Sequence, residues 1–196
     1  MTGRPFRDIL TPRLRLRPWR DADLEPFAAM NADERVMACM PGLLDRAASD
    51  AAATRLRAHF DEHGFGKCVV ETRDGGDFAG VVGLAWCTFD APMNPSVEVG
   101  WRLAHSHWGK GYAAEAARAA LDFGFRELKF DRIYAFTVPA NERSWRVMKR
   151  LGMTRSPADD FDHPLLPPDS PLRRHVTYVM QRDDWERLTR TRPSSD

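Results

Sequence analysis

Between Leu103 and an alanine-rich run, the chain reads His107-Trp108-Gly109-Lys110-Gly111-Tyr112-Ala113-Ala114-Glu115. Two glycines at this spacing permit a tight turn from which the first amides of a helix project without intrahelical acceptors. Those amides, with the positive end of the helix dipole, attract phosphate. The bland alternative is a turn that merely starts a helix. A Walker loop does not fit, because Lys110 is followed by Gly111 and Tyr112 and no hydroxyl is left for magnesium. A dinucleotide fingerprint fits better locally, with Ala114 at the third small position and Asp131 near the expected distance of about 20 residues. It is weakened by the meander of strands that precedes the turn.

Other residues carry chemistry of their own. In Ser96-Val97-Glu98-Val99-Gly100-Trp101-Arg102-Leu103, strand alternation puts Glu98, Gly100 and Arg102 on one face and Val97, Val99, Trp101 and Leu103 on the other. Trp101 reads as core. Asn141 is a good helix cap, and Ser144 falls in the same turn. His105 and His107 flank Ser106 without a carboxylate or cysteine at metal-ligand spacing, so they read as a solvated loop and no metal is expected. His163 and His175 border a late polar loop with Asp159, Asp160 and Asp162, which either attract a cationic amine or serve the turns. Cys87 lies in an apolar strand with no base assigned to it, a poor setting for a nucleophile.

The elements that position these residues follow from hydrophobic period. A strand at 13 to 18 precedes a helix start at Asp21 or Asp23. A second helix covers 47 to 63, and strands at 67 to 73, 78 to 89 and 96 to 103 read as an antiparallel meander. The stretch 111 to 129 is helical, with Ala114, Ala117, Leu121, Phe125 and Leu128 on one stripe and Glu115, Arg118, Asp122 and Arg126 opposite, spaced for ion pairs. A strand at 132 to 138 and a helix from Asn141 to Leu151 follow. Strands at 153 to 157 and 174 to 181 bracket a proline-rich loop too polar for core. A short helix and a frayed Pro-Ser-Ser-Asp tail close the chain.

With 196 residues, 43% hydrophobic and 29% charged, the composition is that of one globular domain. Its net charge of +1 gives no general pull on nucleic acid, and Arg13, Arg15, Arg17 and Arg20 read as the wet face of a strand rather than as a patch. No apolar run approaches the roughly 20 residues that cross a bilayer, and the arginine-rich start lacks a secretory apolar segment. Cys39, Cys68 and Cys87 suit buried thiols in a reducing compartment. A cytoplasmic protein without membrane or nucleic-acid partners is the expectation.

The order of strand, inward acid, glycine turn, small-faced helix, strand and Asn141-Glu142-Arg143-Ser144 resembles the GCN5-related N-acetyltransferase (GNAT) superfamily. Its pyrophosphate motif, Gln/Arg-x-x-Gly-x-Gly/Ala, is matched by Trp108-Gly109-Lys110-Gly111-Tyr112-Ala113, with Trp108 departing at the first position. The opening Leu10-Thr11-Pro12-Arg13-Leu14-Arg15-Leu16-Arg17 is similar to the RimJ/RimL branch of ribosomal-protein N-acetyltransferases, and the likeness covers about residues 10 to 182. The resemblance implies a single α/β domain over 1–196. Its sheet would be mixed and mainly antiparallel, with two parallel central strands splayed to admit acetyl coenzyme A and helices on both faces.

The roles that follow are those the resemblance implies. Amides of Gly109, Lys110, Gly111, Tyr112 and Ala113 would hold the pyrophosphate, and backbone at Trp101, Arg102 and Leu103 would pair with the pantetheine arm. Asn141 would bond that arm, or only cap its helix. Ser144 would protonate the departing thiolate, or serve the turn alone. Glu98 is the candidate base acting through water, with a structural pair to Arg102 as its alternative. The reaction would be direct attack of a primary amine, on a protein N-terminus or a small molecule, within a ternary complex. A noncatalytic coenzyme A-binding module is the rival reading and a nucleotide-binding enzyme the third. A homodimer is compatible with the branch.

Overall fold

The computed structural model describes residues 7–190, so the frayed tail expected at the C-terminus lies outside them. The chain forms two compact units, one made of residues up to Ala85 together with Gly100–Ala119, the other of Trp86–Val99 and the chain from Ala120 onward.

In the first unit, β1 (Ile9–Leu10), β2 (Leu14–Arg17), β3 (Lys67–Thr72) and β4 (Phe78–Trp86) pair antiparallel in that order. The second half of β5 (Val97–Leu103) follows β4. Gly80 is required there, since a Cβ would stand 2.3 Å from the Arg102 carbonyl oxygen. Helices α1 (Leu24–Asn31), α2 (Glu34–Met37) and α3 (Arg46–His63) lie between β2 and β3. Asp45 caps α3 by accepting from the Ala48 amide at 2.8 Å, and Gly64, at φ 72°, ends it. The short α2 was not foreseen, because four residues show no period.

The strand of arginines is less wet than its alternation suggested. Arg17 is only 4% exposed and donates twice to Asp23 at 2.8 Å and once to Glu71 at 2.7 Å. Arg13 and Arg15 are engaged by Glu115 and Asp8, so these cations form no free basic patch. Asp23 does not cap α1. Its carboxylate takes Arg17 and the Arg20 amide instead, and residues 21–23 form a 3-10 turn. Of the three cysteines only Cys68 is buried, where desolvation pushes its thiol up to about 12; Cys39 and Cys87 are half-buried.

In the second unit the first half of β5 pairs with β6 (Arg132–Thr137) in parallel, Glu98 opposite Tyr134. Parallel neighbours need a crossover, and α4 (Tyr112–Arg126) supplies it. β6 pairs antiparallel with β9 (Arg174–Gln181), which also receives β7 (Thr154–Arg155) and β8 (Phe161–Asp162). The sheet is therefore mixed and mostly antiparallel, as expected, with helices flanking it. Helix α5 (Glu142–Leu151) is stopped by Gly152 at φ 86°. Helix α6 (Arg182–Arg190) buries Trp185 against Phe125, its indole N–H reaching Asp122 at 3.3 Å. The late loop is not wholly surface: Phe161 is buried within it.

Candidate active site

The glycine turn forms as the spacing required. Gly109 and Gly111 have φ values of 74° and 82°, a region that side chains with a Cβ avoid. Among the described residues, the first backbone bond of α4 runs from the Glu115 amide to the Gly111 carbonyl at 3.1 Å. The amides of Gly111 to Ala114 precede that ladder. A Cβ at Gly109 would meet nothing within 4 Å, and one at Gly111 would stand 3.5 Å from Arg13 Nη2. A pyrophosphate fits such a cradle, which combines oriented N–H donors with the positive end of a helix.

Trp108, the residue that departs from the family pattern, has a role of its own. Its indole N–H donates to the Leu103 carbonyl at 2.9 Å, tying the turn to the end of β5. That bond takes one lone pair of a carbonyl that the family resemblance gives to the pantetheine arm. Trp101 is half-buried rather than core. Arg102, considered as a pair for Glu98, instead donates to Asn31 Oδ1 at 2.6 Å, and Asn31 is held by Ser49 at 2.9 Å. Burial with only an amide for company lowers the Arg102 pKa. His107 is no solvated loop residue. It is half-buried against Tyr112, with ring centroids 6.0 Å apart, and its Nδ1 is buried without a hydrogen-bond partner.

Arg13 was missed as a part of this turn. Its guanidinium donates to the Lys110 carbonyl at 2.9 Å and to Glu115 at 2.7 Å, and it lies 4.9 Å from the centre of the Tyr112 ring. Thr11 donates to the other Glu115 oxygen at 2.6 Å. The helical spacing offers Glu115 neighbours three or four residues away, yet its partners are 102 and 104 residues earlier. Burial raises its pKa, and Thr11 with Arg13 more than offsets this, leaving it below the ordinary glutamate value. The Thr-x-Arg of the opening motif thus fastens the N-terminal end of α4, and the motif itself is the available signal. The expected Asp122–Arg126 pair is present at 2.7 Å.

In the second unit, Glu98 is half-buried on β5. Its charge is felt by Cys87, His163 and His175. Asn141 caps α5, Oδ1 accepting from the Ser144 amide at 3.2 Å and Nδ2 donating to Thr137 Oγ1 at 3.0 Å. Ser144 is half-buried beside it. The loop aspartates are taken. Asp160 pairs with Arg155 and accepts from the Thr177 amide, Asp159 accepts from Ser156 at 2.6 Å, and Asp162 stands 3.4 Å from Arg174. Burial raises the Cys87 thiol, contrary to what a nucleophile needs. Among the described residues no group of three potential ligands is placed to hold a metal ion. No described helix is long and apolar enough to cross a membrane.

A mixed sheet whose parallel pair is bridged by a helix opening on a glycine turn has the arrangement expected of a coenzyme A-dependent acyltransferase. Residues 13–154 match the model described as the acetyltransferase (GNAT) domain, and the chain belongs to that family. It is 34% identical to YkkB of Bacillus subtilis (strain 168), named as uncharacterized, over 147 residues, which is 74% of this chain and 84% of that protein. An acetyltransferase from Agrobacterium tumefaciens str. C58 superposes with a TM-score of 0.72 at 27% identity, covering 92% of this chain and 98% of that one. RimJ of Mycobacterium smegmatis, solved in complex with CoA-disulfide, gives 0.70 at 22% identity, covering 90% and 88%; that likeness shows the fold. The protein is an acetyl coenzyme A-dependent acyltransferase that acetylates an amine.

Proposed function

We propose that the chain acts as one RimJ/RimL-like domain that joins acetyl coenzyme A and a primary amine directly in a ternary complex. The observation that carries this reading is the Gly109–Ala113 turn, whose amides stand ahead of the α4 ladder. The family match from residue 13 to residue 154 runs through both compact units, which supports treating them as one functional domain.

The amides of Gly109, Lys110, Gly111, Tyr112 and Ala113 hold the pyrophosphate, and backbone at Trp101 and Arg102 pairs with the extended arm. Trp108 fixes the turn rather than touching the cofactor. Asn141 keeps one amide N–H for the arm after its cap and Thr137 bonds are made. An acceptor ammonium has no lone pair, so Glu98, acting through water, removes a proton first. The neutral nitrogen attacks the thioester carbonyl, whose oxygen charge is held by backbone N–H. The C–S bond breaks and Ser144 protonates the departing thiolate. Asp160 and Asp162 each face an arginine, and Asp159 accepts only from the Ser156 hydroxyl, so Glu98 rather than the loop is the carboxylate that receives the acceptor amine.

Thiol release from acetyl coenzyme A, followed with peptides bearing free N-termini and with small monoamines and polyamines, tests the reading. Release that depends on a monoamine, with an N-acetylated product by mass spectrometry, is expected. Tight coenzyme A binding without amine-dependent release would instead leave a binding module. Replacing Gly109 or Gly111 by Ala should raise the coenzyme A dissociation constant about tenfold or more, through lost phosphate approach and the roughly 1–2 kcal/mol strain of positive φ. Unchanged affinity in calorimetry removes the cradle assignment.

A further inference from the structure

Acetylating an ammonium strips two protons from nitrogen, while the thiolate takes back only one. The other must reach solvent. Glu98 holds one proton at a time, and a second acceptor in the site lets the other leave nitrogen while Glu98 is still protonated. One face of the sheet in the second unit offers it. Glu98 stands opposite Tyr134, Phe136 opposite Thr177, and His175, two residues before Thr177, shares that face. The β8 pairing sets Phe161 opposite His175.

Ring contacts and hydrogen bonds fix the two imidazoles in complementary forms. His175 stacks on Phe161 at 5.2 Å and 16° and meets Phe136 edge-on at 5.8 Å. His163 lies 5.2 Å from His175 and 4.3 Å from Phe89. His175 Nδ1 is 3.1 Å from the Arg173 carbonyl, which can only accept, so Nδ1 carries the proton and Nε2 keeps its lone pair. His163 Nδ1 accepts from the Leu165 amide at 3.3 Å, which leaves its proton on Nε2. Burial lowers both imidazoles below the ordinary histidine value, only partly offset by the Arg173 bond at His175 and by the charge of Glu98 at both.

The groups facing this pair are Glu98 from β5, Cys87 from the segment after β4 and Tyr134 from β6. Arg155, Asp160, Asp162, Arg173 and Arg174, around β7, β8 and β9, pair among themselves.

We propose that His175 is a second proton acceptor of the transfer reaction, resting on the reading of Glu98 as the first. Glu98 takes the first proton and frees the amine lone pair. The N–C bond forms, the C–S bond breaks, and the proton still on nitrogen passes to His175 Nε2. Ser144 protonates the thiolate and recovers its proton from Glu98, and the restored carboxylate faces the imidazolium until water removes its proton. Bonds and charge balance as one amide, one thiol and one released proton.

The test compares wild type, His175→Phe, which keeps the ring stack, and Glu98→Gln. In His175→Phe, kcat should fall about tenfold to a hundredfold, with acetyl coenzyme A affinity unchanged by calorimetry. The acidic limb of the kcat/KM profile should lose one of its two ionisations. His175→Gly should regain rate when imidazole is added. Wild-type rate and slope in His175→Phe overturn the proposal, as does loss of acetyl coenzyme A affinity in step with rate, which marks a packing role. If His175→Phe is unaffected while Glu98→Gln is dead, the inference falls and the Glu98 reading stands. If Glu98→Gln is unaffected while His175→Phe is impaired, the Glu98 reading falls and His175 remains a proton acceptor.

Discussion

Glu98 sits on a strand whose opposite face carries Val97, Val99 and Leu103, all buried. A carboxylate in such a strand must be paired, hydrated or useful, and Arg102 donates to Asn31. Replacing Glu98 by Gln keeps the shape and removes the proton acceptor. We expect kcat/KM for the amine to fall about a hundredfold to ten-thousandfold, with acetyl coenzyme A binding preserved. The residual rate should rise with pH as the amine deprotonates in solution. An unaltered rate and pH profile would clear Glu98 of that role. Reading the strand alternation was enough to single out this residue. Its surroundings were not legible, because His163 and His175 lie 65 and 77 positions later and reach it only through the β6/β9 and β8/β9 pairings.

At the scale of elements, α5 tests whether one residue serves helix and ligand together. Asn141 is a cap in the structure, and Asn141→Ala should cost about 1 kcal/mol of stability. Asn141→Asp keeps the Oδ acceptor for the Ser144 amide but loses the Nδ2 donor. If the spare amide hydrogen grips the pantetheine arm, Asn141→Asp raises the acetyl coenzyme A dissociation constant several-fold while its melting temperature stays within a degree or two of wild type. Equal affinity leaves a cap and nothing more. The glycine turn, the Asn141 cap and the run of strands were visible in the sequence because turn chemistry and hydrophobic period are local. The fastening of α4 by Thr11 and Arg13 was not, since nothing local marks which helix a strand residue will touch.

On the scale of the whole molecule, the buried Arg17–Asp23–Glu71 set is the polar centre of the first unit. Burial raises the Asp23 carboxyl, and the Arg17 hydrogen bond, the Arg20 amide and their charges bring it below the ordinary 3.8. A depressed folded pKa stabilises fully above the unfolded value, and that contribution is lost as pH falls through the folded one. Acid unfolding should therefore steepen below about pH 4, and Asp23→Asn should remove that part of the acid dependence. At neutral pH Asp23→Asn should cost about 3 kcal/mol, because a buried guanidinium loses one of its two carboxylates. Thermal melts should show a drop of roughly 6–12 °C, and a smaller shift than a degree or two would show the pair to be dispensable.

The amino-acid sequence by itself determined the order and type of the main elements, the glycine turn and the candidate acid, since 3.6- and 2-residue periods and positive-φ glycines are written in neighbouring residues. Tertiary structure alone decided which polar groups are spent on structure. Arg17 changes from surface cation to buried ion pair, Asp160 from amine attractor to partner of Arg155, and Trp108 from motif mismatch to a bond on Leu103. The physical reason is that a side chain's role depends on burial and on partners brought from far along the chain, and those are set only when strands and helices pack.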